Sequence, residues 1–352
     1  MKQRIGALFV LTLLAAACGG SDESASSSEA ATESASESGD RTTTTEVATE
    51  SASEPAATTT TTEAPTERTI EHRGGTTVVP AQPERIVVLN AGTMLPILLE
   101  LGVETIVGAP IPDGPITATR LLDDADLVDV APVGFPQANP ELVAAETPDL
   151  IMMFDDGAGN LPDSYEIFAQ VAPTVAVELD LNDWRGTGER VAAVLGLEAE
   201  MAAGLAGYDA RVAALRETIG DPSSVEVTVV RALGANIRLH TPFHHAGQVF
   251  ADVGFAWAPA VPTDDPTTRL VQISLEELNQ ADADHVFVFG AGQAVDGSDV
   301  DATVQAILDH PLYPTLRVAE SGNLHVVDPL GWQQGGLPGA LLILSDLEGV
   351  FP

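Results

Sequence analysis

The chain of 352 residues carries 52 acidic and 15 Lys or Arg side chains, a formal net charge of −37, and a single cysteine. One thiol excludes an intramolecular disulfide and a four-thiolate zinc site. Charge of this sign, with Lys2 the sole lysine, excludes the basic footprint of a nucleic-acid binder and fits solubility, including in a salty habitat, better than a ligand preference.

The first element in the chain is a leader. Lys2 and Arg4 precede an apolar stretch from Ile5 to Leu14, then three alanines that end at Cys18. This is the layout of a secretory signal peptide over residues 1–17, and its apolar run is too short for a permanent membrane span. A cysteine directly after small residues resembles the bacterial lipobox, in which the leader is removed and the new N-terminal cysteine is lipidated. Ala15 stands where that motif more often has leucine, and an ordinary leader beside an incidental cysteine is the alternative. On the lipobox reading Cys18 anchors the protein outside the cytoplasmic membrane through acyl chains, whose hold grows with each buried methylene. Residues 18–66 are Ser, Thr, Ala and Glu with almost nothing large and apolar. Such a segment cannot offset the entropy of ordering it and predicts a disordered tether.

From Glu67 onward the pattern changes to short β-rich runs between helical ones. "RIVVLN" (85–90), "TMLPILLELG" (93–102) and "ETIVGA" (104–109) read as strand, helix, strand, and "NPELVAAETP" leads into the strand "DLIMMF" (149–154). After a further helix, "SYEIFAQVA", apolar residues recur at helical spacing from Trp184 to Ile219, with glycines that mark one or two breaks. The alternation then resumes with "VEVTVVRAL", "HAGQVFADVG", "SLEELNQADA", "DHVFVFG" and "NLHVVD", before a final helix near Leu337 to Leu347. Strands alternating with helices predict an α/β protein of two Rossmann-like lobes with parallel-type sheets, spanning 67–182 and 220–352, joined by a long helical piece over 183–219. Ligands of such sheets sit beyond the carboxyl ends of the strands, so two facing lobes should share a cleft.

Several short motifs invite chemistry. His240, His244 and His245 in "RLHTPFHHAG" suggest a metal, but adjacent histidines point apart and Pro242 opposes a helix that would align His240 with His244. An ordinary loop, or contact with a chelated ligand, is the stronger reading. "FGAGQAV" begins like a dinucleotide fingerprint, yet Val295 stands where the third glycine belongs. Asp155 and Asp156 lie in a Gly-rich stretch that makes them turn formers, and there is neither a nucleophile elbow nor a P-loop, so no enzyme is expected. "NPELVAAETPDLIMMF" and "SLEELNQADADHVFVF" each put a glutamate, Glu141 or Glu276, early in a helix before an apolar strand. The helix dipole accounts for one such carboxylate; the matched pair suggests a role common to both lobes.

With "TTVVPAQPERIVVLN", "LLELGVETIVGA", "YDARVAALRETI" and "GWQQGG", these phrases resemble, in order and spacing, the substrate-binding proteins of ABC importers that serve iron–siderophore complexes and cobalamin, of the class III periplasmic-binding-protein type. The resemblance covers nearly all of 67–352. It implies that Glu141 and Glu276 meet arginines of the permease, that 184–219 restrains the hinge, and that a lipidated Cys18 keeps a monomeric protein near its transporter. It implies a ferric siderophore as cargo and no cofactor, with cobalamin or haem, or an adhesive surface lipoprotein, as alternatives. Pockets of this family hold anionic chelates with arginines and aromatic rings, since guanidinium offers a fixed fork of donors. By loop position the candidates are Arg231, Arg238 and Trp332 from the second lobe. From the first come Arg120 and the loops Asn90 to Met94 and Phe135 to Asn139. Surface ion pairing of the arginines and core placement of Trp332 and Trp257 are the competing readings, and Arg269 is the weakest candidate.

Overall fold

Most of the strand-like runs read from the sequence become strands of two separate sheets. The computed structural model describes residues 66–114, 119–290 and 298–352, all within one compact unit. The expected leader, Cys18, nearly all of the tether and most of "FGAGQAV" fall outside the described residues.

A hairpin of β1 (Glu67–His72) and β2 (Gly75–Pro80) opens the fold. There follow β3 (Ile86–Val88), α1 (Met94–Glu100), β4 (Ile106–Ala109), β5 (Ala131–Pro132), α2 (Pro140–Ala145), β6 (Leu150–Phe154), α3 (Tyr165–Phe168) and β7 (Thr174–Val177). Two helices, α4 (Trp184–Leu195) and α5 (Glu198–Ile219), lead to β8 (Glu226–Ala232), β9 (Asn236–His240), α6 (His245–Val253), β10 (Ala256–Trp257) and β11 (Leu270–Ser274). A 3-10 segment, Leu275–Ala281, precedes β12 (His285–Phe289), and the chain ends with α7 (Ser298–Leu308), α8 (Arg317–Ser321), β13 (Leu324–Val326), α9 (Pro329–Gln333) and α10 (Gly336–Val350).

The first sheet is five-stranded and parallel, in the order β5-β4-β3-β6-β7. The second has six strands in the main order β11-β9-β8-β12-β13, with β10 beside β8. The two-lobed α/β architecture read from the sequence is present, but the second sheet is mixed. Gly234 takes φ of 78° and Leu233 N–H donates to the Asn236 carbonyl at 2.9 Å. Glycine with positive φ at the first central position, and Ala235 without it, is the pattern of a type II′ hairpin turn. It reverses the chain, so β9 runs antiparallel to β8 and β11 antiparallel to β9. The helical piece is likewise two helices, because Gly196 at φ 73° ends α4 in the left-handed conformation.

Alternation along the strands decides what each sheet face buries. Ile86 and Val88 of β3, Leu150 and Met152 of β6, Val227 and Val229 of β8, and Phe287 and Phe289 of β12 all enter one core with α1, α4, α5, α6 and α10. Their neighbours Val87 and Ile151 face a small cluster under α2 and α3, while Val230, Val286 and Val288 face another under the 3-10 segment and α7. The lobes therefore share a single apolar layer. Phe250 sits at its centre, 5.1 Å from the Phe287 ring and 5.7 Å from that of Trp332, and each such aromatic contributes about 3–5 kcal/mol when compared with alanine.

Candidate functional site

At the carboxyl end of β8 the face that carries this core turns polar. Arg231 lies directly across from Arg238 in the β8–β9 register, His240 lies across from Val229, and Phe289 of β12 pairs with Arg231. Residues opposite one another point to the same side of a sheet, so Arg231, Arg238 and His240 extend the face defined by Val229 and Phe289. Like charges directly opposite are destabilising. Arg73, Arg85, Arg120, Arg185, Arg211 and Arg317 are all held in ion pairs. Arg238 and Arg269 join none of the ion pairs found among the described residues.

Arg269, just before β11, completes the cluster. Its Nε donates to the Phe243 carbonyl at 3.3 Å and its terminal nitrogen to the Leu181 carbonyl at 3.1 Å. The guanidinium thus joins the end of the first lobe to the loop that follows β9. Burial lowers the Arg269 pKa, opposed by Asp180, and burial followed by Arg238 lowers that of Arg231.

Beneath the arginines lie three imidazoles. His240 is 0%, His244 6% and His245 5% exposed. The His240 and His244 rings are 3.8 Å apart, the His240 and Phe289 rings 5.3 Å, and His245 meets Trp184 edge-on at 6.1 Å. Burial, then Arg231, Arg269, His245 and Arg238, push the His240 pKa down to about 3. Burial, then Arg269, put His245 at about 3 as well. His244 falls well below its ordinary value through burial, His240, Arg269, His245 and Arg231. All three are neutral at pH 7 and each keeps one N–H donor. Both ring nitrogens of His240, Nδ1 of His244 and Nε2 of His245 are buried without a hydrogen-bond partner in the structure. Among the described residues no group of His, Cys, Asp and Glu is arranged to hold a metal ion. The arrangement is rich in N–H donors and positive in potential, which suits anionic oxygen acceptors and opposes a bare cation.

Three of the sequence candidates lie elsewhere. Trp332 is 0% exposed. It stacks on Phe287 at 5.1 Å and donates its Nε1–H to Asp346 at 2.9 Å, so it is a core residue and not a platform for cargo. Met94, also 0% exposed, is drawn into the core because Asn90 Oδ1 accepts the N–H groups of Thr93 and Met94 and turns the chain into α1. Arg120 is directed to α10, where it pairs with Asp346 at 2.6 Å; the same segment is tied down by Asp328, which accepts from Thr119 Oγ1 and the Arg120 N–H. Trp257 packs, partly buried, against both the shared core and the second-lobe cluster. Arg269, by contrast, is a member of the basic cluster, and its only sequence signal was its place immediately before the strand "LVQIS".

The matched glutamates occupy corresponding positions. Each precedes the strand one place in from an edge of its sheet, β6 beside β7 or β12 beside β13, and starts a segment that returns from the carboxyl-end edge. Neither is a cap. Asn139 Oδ1 accepts the Glu141 N–H at 2.8 Å, and Ser274 with Glu277 forms the capping box of the second segment. Glu141 is exposed, and the Glu276 side chain is 88% exposed with His310 Nε2 at 4.0 Å.

A separate groove of about 520 Å³ opens between β1, β7 and α4. Its arginines are engaged: Arg73 pairs with Asp155 and Glu178, and Arg190 donates to the Glu178 carbonyl and Thr187. The groove lies along the edge of the first sheet, away from the basic cluster.

Two α/β lobes, one built on a parallel and one on a mixed sheet, around a shared core with a donor-rich cluster at strand ends, have the layout of a solute-binding protein. The chain belongs to the periplasmic binding protein family, whose family model matches residues 86–329. It is 29% identical over 272 residues to the probable siderophore-binding lipoprotein YfiY of Bacillus subtilis, covering 74% of this chain and 80% of that one. It is 27% identical over 229 residues to the ferric enterobactin-binding periplasmic protein FepB of Escherichia coli, covering 62% and 68%. Staphylococcus aureus SirA complexed with staphyloferrin B has a similar fold, with a TM-score of 0.62 at 24% identity, covering 81% of this chain and 97% of that one. The siderophore-binding protein of the Thermobifida fusca fuscachelin gene cluster gives 0.61 at 21% identity, covering 78% and 98%.

Proposed function

We propose that this protein captures an iron(III)–siderophore complex between its lobes outside the cytoplasmic membrane and delivers it to the permease of an ABC importer. The observation that carries this reading is the opposed pair Arg231 and Arg238 with Arg269 beside them. A protein of net charge −37 keeps like charges in register at a strand end, where an anionic chelate would relieve their repulsion. The names of the relatives support a siderophore. In this reading the guanidinium groups donate to ligand oxygens on the iron, and Glu141 and Glu276 face arginines of the permease. Cys18 holds a monomer to the membrane. No helix of the described residues is long and apolar enough to cross one.

The test is a tryptophan fluorescence titration with ferric hydroxamate, ferric citrate, ferric catecholate, cobalamin and haem, with iron-free chelators as controls. Trp184 packs against His245 of the cluster, so an occupied site should change its emission. Saturable sub-micromolar binding of an anionic ferric chelate, lost in Arg231→Gln with Arg238→Gln, is the expected result. Binding of cobalamin or haem alone would replace the siderophore, and binding of none would remove the transport reading.

A further inference from the structure

We propose that His72 is a pH-operated clasp that closes the turn end of the β1–β2 hairpin onto the open edge of β7, so that acid bares that edge. The clasp lies on the wall of the groove beside β7 and works whatever the cargo.

β7 is the outermost strand of the first sheet, and an outermost strand presents N–H and C=O groups with no strand to pair them. The hairpin supplies partners instead. Arg73 N–H donates to the Ala176 carbonyl at 3.4 Å, and the Thr77 hydroxyl donates to the Thr174 carbonyl at 3.2 Å. The Ala176 N–H has an imidazole as its acceptor, His72 Nδ1 at 3.2 Å. The same Nδ1 accepts the Gly74 N–H at 3.0 Å. A ring nitrogen that accepts two N–H groups carries no proton of its own, so the neutral ring holds its hydrogen on Nε2. Nε2–H then donates to Thr77 Oγ1 at 2.8 Å, whose hydrogen is committed to Thr174. One tautomer thus completes a relay from Gly74 and Ala176 through the ring to Thr77 and Thr174.

An imidazolium offers donors only. A proton on Nδ1 would face two backbone N–H groups and leave both without an acceptor. No neighbouring charge offsets this. His72 joins no ion pair among the described residues, and Arg73 beside it is held by Asp155 and Glu178. Glu71 and Arg190 stand elsewhere on the groove wall, and α3 contributes the Tyr165 ring, 6.0 Å away. Burial lowers the His72 pKa below 6.5. The open hairpin, with a solvated ring, therefore binds the proton more readily than the clasped one. Closure is fully favoured above about 6.5 and weakens as pH falls through the lower, clasped value. Release stops at the turn, because Val79 is buried in the shared core and Ile70 packs against it.

The experiment measures hydrogen exchange of the Gly74 and Ala176 amides by NMR in the full chain at about pH 7.5 and 5.5, each rate divided by the intrinsic rate at that pH. In wild type both should lose protection, by up to about tenfold one unit below 6.5. His72→Asn keeps an acceptor oxygen and does not titrate, so its protection should be the same at both pH values. His72→Leu has no acceptor and should be poorly protected at both. An equal fall in wild type and His72→Asn, or full protection in His72→Leu, overturns the clasp. So does constant protection in wild type. The ring itself supplies a measurement free of any variant: at pH 7.5 the long-range proton–nitrogen spectrum of His72 should show Nδ1 bare and Nε2 protonated, and the ring should titrate below 6.5. The opposite tautomer, or a pKa at or above 6.5, overturns the proposal.

Discussion

Acid should unfold this protein through its buried histidines. The perturbation is a fall in pH from 7 to 4.5. An unfolded imidazole titrates near 6.5, whereas His240 and His245 are held at about 3 by burial and by the surrounding arginines. Between these values the unfolded chain binds more protons than the folded one. Stability is therefore fully present above about 6.5 and declines as pH falls towards about 3. At pH 4.5, two pH units below the unfolded value, each histidine should remove on the order of 3 kcal/mol. The pair removes roughly 5 kcal/mol, a large part of the 5–15 kcal/mol typical of a folded protein, and His244 acts in the same direction. The assay is urea unfolding at a series of pH values for wild type, His240→Leu and His245→Leu. Each variant should show a slope of stability against pH shallower by about one proton in this window. Slopes equal to wild type would show that these imidazoles are not the buried neutral groups described here, and would refute the reasoning.

Other outcomes follow from the same geometry. Arg231→Gln or Arg238→Gln should each weaken cargo binding about 10- to 100-fold, the range of a charged hydrogen bond, while urea stability of Arg238→Gln holds or rises because like charges no longer oppose each other; titration and unfolding check both. Glu141→Arg with Glu276→Arg should abolish uptake of radiolabelled iron and leave cargo affinity nearly unchanged, and lost affinity would place these residues in the pocket. Trp332→Ala should destabilise the fold by about 3–5 kcal/mol, measured by urea unfolding, because it empties a closed site against Phe250 and Phe287. Trp332→Phe should cost far less, chiefly the hydrogen bond to Asp346.

What the sequence determined by itself was whatever depends on local pattern. Unbroken apolar runs in "RIVVLN", "DLIMMF" and "DHVFVF" set strands whose two faces enter different cores, and turn glycines set their ends. The matching positions of the two glutamates were legible because each is defined by its place within a helix–strand phrase, and the strand positions of Arg231 and Arg238 because they lie within recognisable strands. Tertiary structure alone decided the rest. That β9 turns back on β8 depends on one residue, Gly234, and only this pairing brings Arg238 opposite Arg231. Arg269 joins them through carbonyls of Leu181 and Phe243, contacts between segments far apart in the chain that no periodicity encodes. Trp332, Met94 and Arg120 looked available because their loops follow strand ends, but a loop position does not say which way a side chain points. The shared core claimed the first two and Asp346 the third, since apolar surface and an unpaired charge are each most stable where neighbours from distant segments remove them from water or neutralise them.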